Sequence, residues 1–119
     1  MFTEQVIQQV WEKARIVDGY NGDSIRKDSC GAWILRSQYG NTDSMFGWEI
    51  DHVYPVSKGG DDDFQNLRPF QWENNRSKGE DYPSYTAVVQ SEEDRNVHRR
   101  NQYTINSALQ EKLGTLYNL

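Results

Sequence analysis

The 119-residue chain has a single cysteine, Cys30, so no disulfide can form within it and no cysteine pair is available to grip a structural zinc. No apolar run approaches the roughly 20 residues that a membrane span needs. The first residues, Met1-Phe2-Thr3-Glu4-Gln5, carry neither the basic stretch nor the apolar core of a secretion signal. Together these absences point to a reducing, cytoplasmic setting. Repeats, low-complexity tracts and linkers are also missing, so residues 1–119 read as one domain, long enough for one modest core. Positive charge is scarce as well: 13 Lys and Arg stand against 18 Asp and Glu, a net charge of −5. That balance argues against a tight nonspecific binder of nucleic acid, whose affinity comes largely from a basic footprint.

What is present is aromatic. Only 35% of residues are hydrophobic, yet 13% are aromatic, with four Trp and seven Tyr. Much of the core must therefore come from rings that bury a large area while keeping a polar edge wet. Thr3 to about Val17 reads as an amphipathic helix: Val6, Val10, Ala14 and Val17 repeat at helical spacing, and Ile7 and Trp11 widen the stripe. Thr3 is a plausible N-cap, and Asp18-Gly19 stops the helix and opens a loop to Asp28. Cys30 to Tyr39 reads as a strand, with Trp33 and Leu35 on one face and Ile34 on the other. Cys30, lacking a partner, reads as a small packed hydrophobe. Arg36 is either a phosphate contact or a solvated strand residue.

The densest pattern runs from Trp48 to Glu80: W-E-I-D-H-V-Y-P-V-S-K-G-G-D-D-D-F-Q-N-L-R-P-F-Q-W-E-N-N-R-S-K-G-E. A strand over Trp48 to Val53 is followed by a Gly59-Gly60 turn and a second strand, Leu67 to Phe70, kept short by Pro69. A helix over Gln71 to Lys78 is closed by Gly79. Asp61-Asp62-Asp63 lacks the ligand spacing of an EF-hand and reads as a solvated turn. Beyond it, Tyr85 to Val89 and Gln102 to Ile105 read as strands. Between them, Arg95, His98, Arg99 and Arg100 form either a backbone contact for nucleic acid or a charged hairpin tip. Ser107 to Gln110 has the form of a capping box opening a last helix, with Leu109, Leu113, Leu116 and Tyr117 as its buried stripe.

The series D-H, then P with G-G, then N-L, then N-x-x-K-G resembles the core of the HNH endonucleases. That resemblance implies an α+β fold with a ββα-metal core, braced by N- and C-terminal helices and joined by an additional β-hairpin. It implies an endonuclease that hydrolyses DNA phosphodiester bonds with one divalent ion. His52 would be the general base, a role suited to an imidazole that titrates near working pH. Asn66, the middle letter, would tie the loop and fix the base. Asp51 and Asn75 would hold the metal, with Asn74 as the rival ligand. Two hard oxygen donors suit Mg²⁺ or Mn²⁺ better than Zn²⁺ or Ni²⁺. Asn75 stands where the family often has His, making this an H-N-N variant.

Lys78, one turn after Asn75, could pair with a phosphate oxygen, as could Arg76 and Arg68; solvated surface is the alternative for all three. Successive strand residues point to opposite faces, so Asp51 and His52 can share a site only if the strand ends, twists or bulges there. The acidic balance implies weak DNA binding without metal and a strong salt dependence. Two rivals stand beside an enzyme: a catalytically silent nucleic-acid-binding module, and a partner-dependent subunit of a larger restriction, phage or toxin assembly. A homodimer would serve double-strand cleavage, which one active site cannot perform at once.

Overall fold

A hairpin sandwiched between two hydrophobic clusters organises the molecule. The structure, a computed structural model, describes all residues from Met1 to Leu119. In chain order the elements are α1 (Glu4–Trp11), β1 (Ile25–Lys27), β2 (Trp33–Leu35), β3 (Trp48–His52), β4 (Leu67–Gln71), α2 (Trp72–Lys78), β5 (Ser84–Glu92), β6 (Arg95–Thr104) and α3 (Ser107–Tyr117). The strands pair as three antiparallel two-stranded sheets, β1 with β2, β3 with β4 and β5 with β6. The mixed helix-and-sheet architecture, its bracing helices and its additional hairpin match the expectation from sequence. No helix is long and apolar enough to cross a membrane.

The central hairpin is β3–β4, with Asp51 opposite Arg68 and His52 opposite Leu67. Alternation along its strands gives it two working faces. Trp48, Ile50 and Leu67 pack with Ile7, Val10 and Trp11 of α1. Phe70, and Val53 just past β3, pack instead with Tyr85, Ala87, Ile105 and Leu113. Trp11 and Trp48 are both fully buried, their rings 5.3 Å apart; burial of each contributes on the order of 2–3 kcal/mol. The hairpin is thus held from both sides, and α2 lies across its Glu49 and Asp51 side.

Several elements differ from the expected ones, each for a physical reason. Helix α1 ends at Trp11, because Arg15 exchanges two backbone hydrogen bonds with Lys27 and so extends the β1 region. The expected loop from Gly19 to Asp28 contains strand β1, which pairs with β2. Strand β2 is only three residues long, and Trp33 and Ile34 are both buried, so alternation fails there. The last helix is capped by Asn106, whose side chain accepts from the Leu109 amide at 2.8 Å; the Gln110 side chain donates to the carbonyl of Ile105. Strand β6 begins at Arg95, so the basic cluster lies along a strand and not at the hairpin tip.

Candidate active site

Where β3 ends, the chain turns away through Tyr54-Pro55 and a cleft of about 290 Å³ opens between that turn and α2. Asp51, His52 and Asn75 all line it. The strand ends at His52, which is what lets two successive residues border one cleft. A larger groove of about 510 Å³ lies beside α3, but it contains none of the residues expected to do chemistry.

The loop beneath the cleft is held by Asn66. Its side-chain oxygen accepts from the Tyr54 amide at 2.7 Å, and its Nδ2 donates to the carbonyls of Tyr54 at 3.0 Å and Asp61 at 3.1 Å. Asn66 is fully buried, so these three bonds replace hydration it has lost. Gly60 allows the clamp to close: a Cβ there would lie 1.9 Å from the Tyr54 carbonyl oxygen and 3.0 Å from the Asn66 Nδ2.

His52 is tied at one nitrogen. Its Nε2 lies 2.7 Å from Asp62 Oδ1, and Phe2 covers its ring at a centroid distance of 6.0 Å. Nδ1 has no hydrogen-bond partner in the protein and is not buried. Asn75 shows the same arrangement. Its Nδ2 donates to Glu49 Oε1 at 3.1 Å, whereas its Oδ1 is unpartnered and not buried. Glu49 is fixed in turn by Arg76, whose Nη2 donates to Oε2 at 3.0 Å.

Asp51 sits in different surroundings. Only 4% of its side chain is exposed, and it lies between two cations: Arg68 Nε donates to Oδ2 at 2.8 Å, and Lys78 Nζ is 3.3 Å from Oδ1. The Lys78 side chain is fully buried, and it also donates to the His52 carbonyl at 3.2 Å. Burial pushes the Lys78 ammonium below its ordinary pKa, and Asp51 pulls it partly back. Burial likewise works against the Arg68 charge, and Asp51 and Tyr85 together more than offset it. The sequence reading leaves Lys78 and Arg68 as phosphate contacts or solvated surface. Both are inside the protein and already engaged by Asp51, so in this structure they hold a carboxylate rather than meet a phosphate. Arg76 is 59% exposed and retains access to solvent.

Asn74, the rival ligand, faces away from the cleft, into the protein. It is completely buried, accepts from the amides of Val88 and Val89 at 2.8 Å each, and donates to Asp28 and to the Val89 carbonyl. Cys30 is buried against Tyr85, and burial pushes its thiol up to about 12, consistent with an inert packed residue. In the basic cluster, Arg95 and Arg99 pair with Glu92, and His98 with Glu73. Arg36 pairs with Glu4.

An expected metal would take oxygen from Asp51 and Asn75. No group of three or more His, Cys, Asp or Glu side chains is placed to hold a metal ion. The donors present suit a hard ion that keeps most of its water, as Mg²⁺ does when bound through one carboxylate plus substrate phosphate. Each Asp51 oxygen uses one contact and retains a second lone-pair direction. By their chemistry these donors would suit such an ion, and the two cations already at the carboxylate would oppose it.

Sequence reasoning missed Asp62 and Glu49. Each was hidden by its neighbours: Asp62 lies in an acidic run that reads as solvent-facing, and Glu49 lies in an alternating strand. No curated protein and no solved structure matches the chain. The family model described as HNH endonuclease does match, over residues 41–84, and that span contains Asp51, His52, Asn66 and Asn75. By that match, residues 41–84 are similar to the HNH endonucleases.

Proposed function

We propose that the protein is a metal-dependent endonuclease that hydrolyses DNA phosphodiester bonds, with β3, β4 and α2 serving as a ββα-metal core. One observation carries the reading. Within the family-matched segment, His52 and Asn75, each keeping one side-chain atom without a protein partner, line the same cleft as Asp51.

His52 acts as the general base. Its open Nδ1 takes a proton from the attacking water as the water oxygen bonds to phosphorus, and the 3′ oxygen then departs, leaving a 5′ phosphate. General-base assistance of this kind contributes about 10²–10⁴ in rate. Asp51 and Asn75 would hold a divalent ion, Mg²⁺ or Mn²⁺, whose charge when bound stabilises the phosphorane and the leaving oxygen. Asn66 keeps the loop, and hence the His52 backbone, in place. Arg76 is the cation best exposed to meet a phosphate, after exchanging Glu49 for it. Lys78 and Arg68 fix the carboxylate of Asp51 and offset the negative charge of the chain at the one place where a phosphate must approach.

The test is plasmid nicking by wild type and His52→Ala, in EDTA and in Mg²⁺, Mn²⁺, Zn²⁺ and Ni²⁺. Nicking by wild type alone, with Mg²⁺ or Mn²⁺, is the expected result. Equal nicking by both proteins would remove His52 from the mechanism. A second reading, a binding module without turnover, draws support from the engagement of both Asp51 oxygens by buried cations. It predicts equal, metal-independent DNA binding by both proteins and cleavage by neither. Activity appearing only with a co-purifying protein would point to a partner-dependent subunit.

A further inference from the structure

We propose that Asp62 is a positioning residue for His52: its carboxylate accepts the Nε2–H of the neutral imidazole and so keeps the lone pair on Nδ1, the open nitrogen. The consequence for catalysis rests on the reading of His52 as base; the tautomer itself does not.

The geometry gives Asp62 little else to do. Its side chain is 72% exposed and its one side-chain bond is the 2.7 Å contact to His52 Nε2. An exposed pair of this kind adds little to stability. Its backbone, by contrast, is locked from both sides. The preceding residue, Asp61, gives its carbonyl to Asn66 at 3.1 Å and takes a hydrogen bond from the Tyr117 hydroxyl at 2.6 Å. The following residue, Asp63, caps the turn through the Gln65 amide at 2.9 Å. The clamp that fixes the His52 loop therefore also places the acceptor for the His52 ring.

An imidazole has one proton to distribute between two nitrogens, and the hydrogen bond at one decides the role of the other. A carboxylate can only accept, so a neutral ring beside Asp62 must place its proton on Nε2. Asp62 does not line the cleft, whereas His52 does, so the bonded nitrogen is turned toward the loop.

The chain has two histidines, which makes the tautomer directly readable. Full-length protein labelled with ¹⁵N-histidine is examined by long-range ¹H–¹⁵N correlation at pH about 8.5, above the ordinary imidazole pKa of about 6.5. His98, whose Nε2 is 2.9 Å from Glu73, is the internal control. In wild type, His52 is expected wholly as the Nε2–H form. In Asp62→Ala it is expected to relax to the two-tautomer mixture of a free imidazole, with His98 unchanged. Asp62→Asn, which keeps an acceptor oxygen, is expected to restore the wild-type pattern. Nicking by Asp62→Ala is expected to show kcat lowered roughly tenfold at unchanged KM, as for a ring that is present but misaligned.

Nδ1–H in wild type, or a His52 pattern indifferent to Asp62→Ala, would overturn the proposal even if wild type nicks DNA. The expected tautomer change in a protein that cuts nothing would leave the positioning role intact and end the nuclease reading instead.

Discussion

Asn74 and Asn75 are successive residues of one helix, identical in chemistry and opposite in use. Asn74 is fully buried and makes four hydrogen bonds, two accepted and two donated, joining α2 to β5 and to Asp28. Asn75 makes one, to Glu49, and keeps its oxygen free. The same contrast separates the two carboxylate centres. Asp28 accepts from the amides of Cys30, Ala32 and Gln71 and from Asn74, and burial pushes its carboxyl pKa up despite those four donors. The cleft instead holds acceptors with nothing bound to them. A polar side chain whose bonds are all made is holding the fold together. One that is rigidly held yet left with an open atom is available for chemistry.

The largest expected effect tests the saturated side of that comparison. Asn74→Ala would leave one buried and one part-buried amide, a buried carbonyl and an oxygen of Asp28 short of partners, a loss of about 4–5 kcal/mol. Urea unfolding should place the variant near the edge of foldedness, since small domains have only about 5–15 kcal/mol in total. Asn75→Ala should cost less than about 1 kcal/mol in the same experiment. Comparable losses would erase the distinction.

His52→Ala tests the open side. Cleavage should fall by about 10²–10⁴-fold, with metal affinity by calorimetry and the melting temperature close to wild type. Loss of metal together with activity would make His52 a ligand instead of a base.

Gly60→Ala couples the two sides, because the Asn66 clamp is itself saturated and lies beneath the cleft. The added Cβ meets the Tyr54 carbonyl oxygen at 1.9 Å, so the backbone must move. A cost of about 2–3 kcal/mol is expected, with a loss of nicking beyond what reduced folding explains. A fully active, wild-type-stable variant would show that the clamp does not position the base.

The order of strand, turn, strand and helix was legible because its signals are local. The D-H pair at a strand end, Gly59-Gly60 and Gly79 each act within a few residues. Thr3 acts as the expected cap too, accepting from the Val6 amide at 3.2 Å. The short strand β1 was not legible, because its pairing with β2 and with Arg15 depends on contacts across the chain. In the site, Asp51, His52, Asn66 and Asn75 could be named through the resemblance of their motifs to a known family, and the structure places Asp51, His52 and Asn75 around one cleft. The burial of Lys78 could not, since helical spacing from Asn75 fixes its face but not what packs over it. Nor could Asp62, whose meaning depends on a bond to a ring ten residues away.

Glu49 offers the smallest and most discriminating effect. If its role is to hold the Asn75 amide so that oxygen, not nitrogen, is presented, Glu49→Ala frees the amide to flip. With the two orientations equally populated, half of the molecules remain competent, and apparent metal affinity falls only about twofold, in proportion to the competent fraction. Asn75→Ala, by contrast, removes the donor outright and should weaken binding several-fold further. Calorimetric titration of Mn²⁺ into both variants separates the cases. A Glu49→Ala loss matching that of Asn75→Ala would mean that the Glu49 carboxylate, 3.1 Å from Asn75 and itself 24% exposed, binds the ion directly. The acceptor that now looks like a support would then be a third ligand, and Asn75 would be open for a different reason.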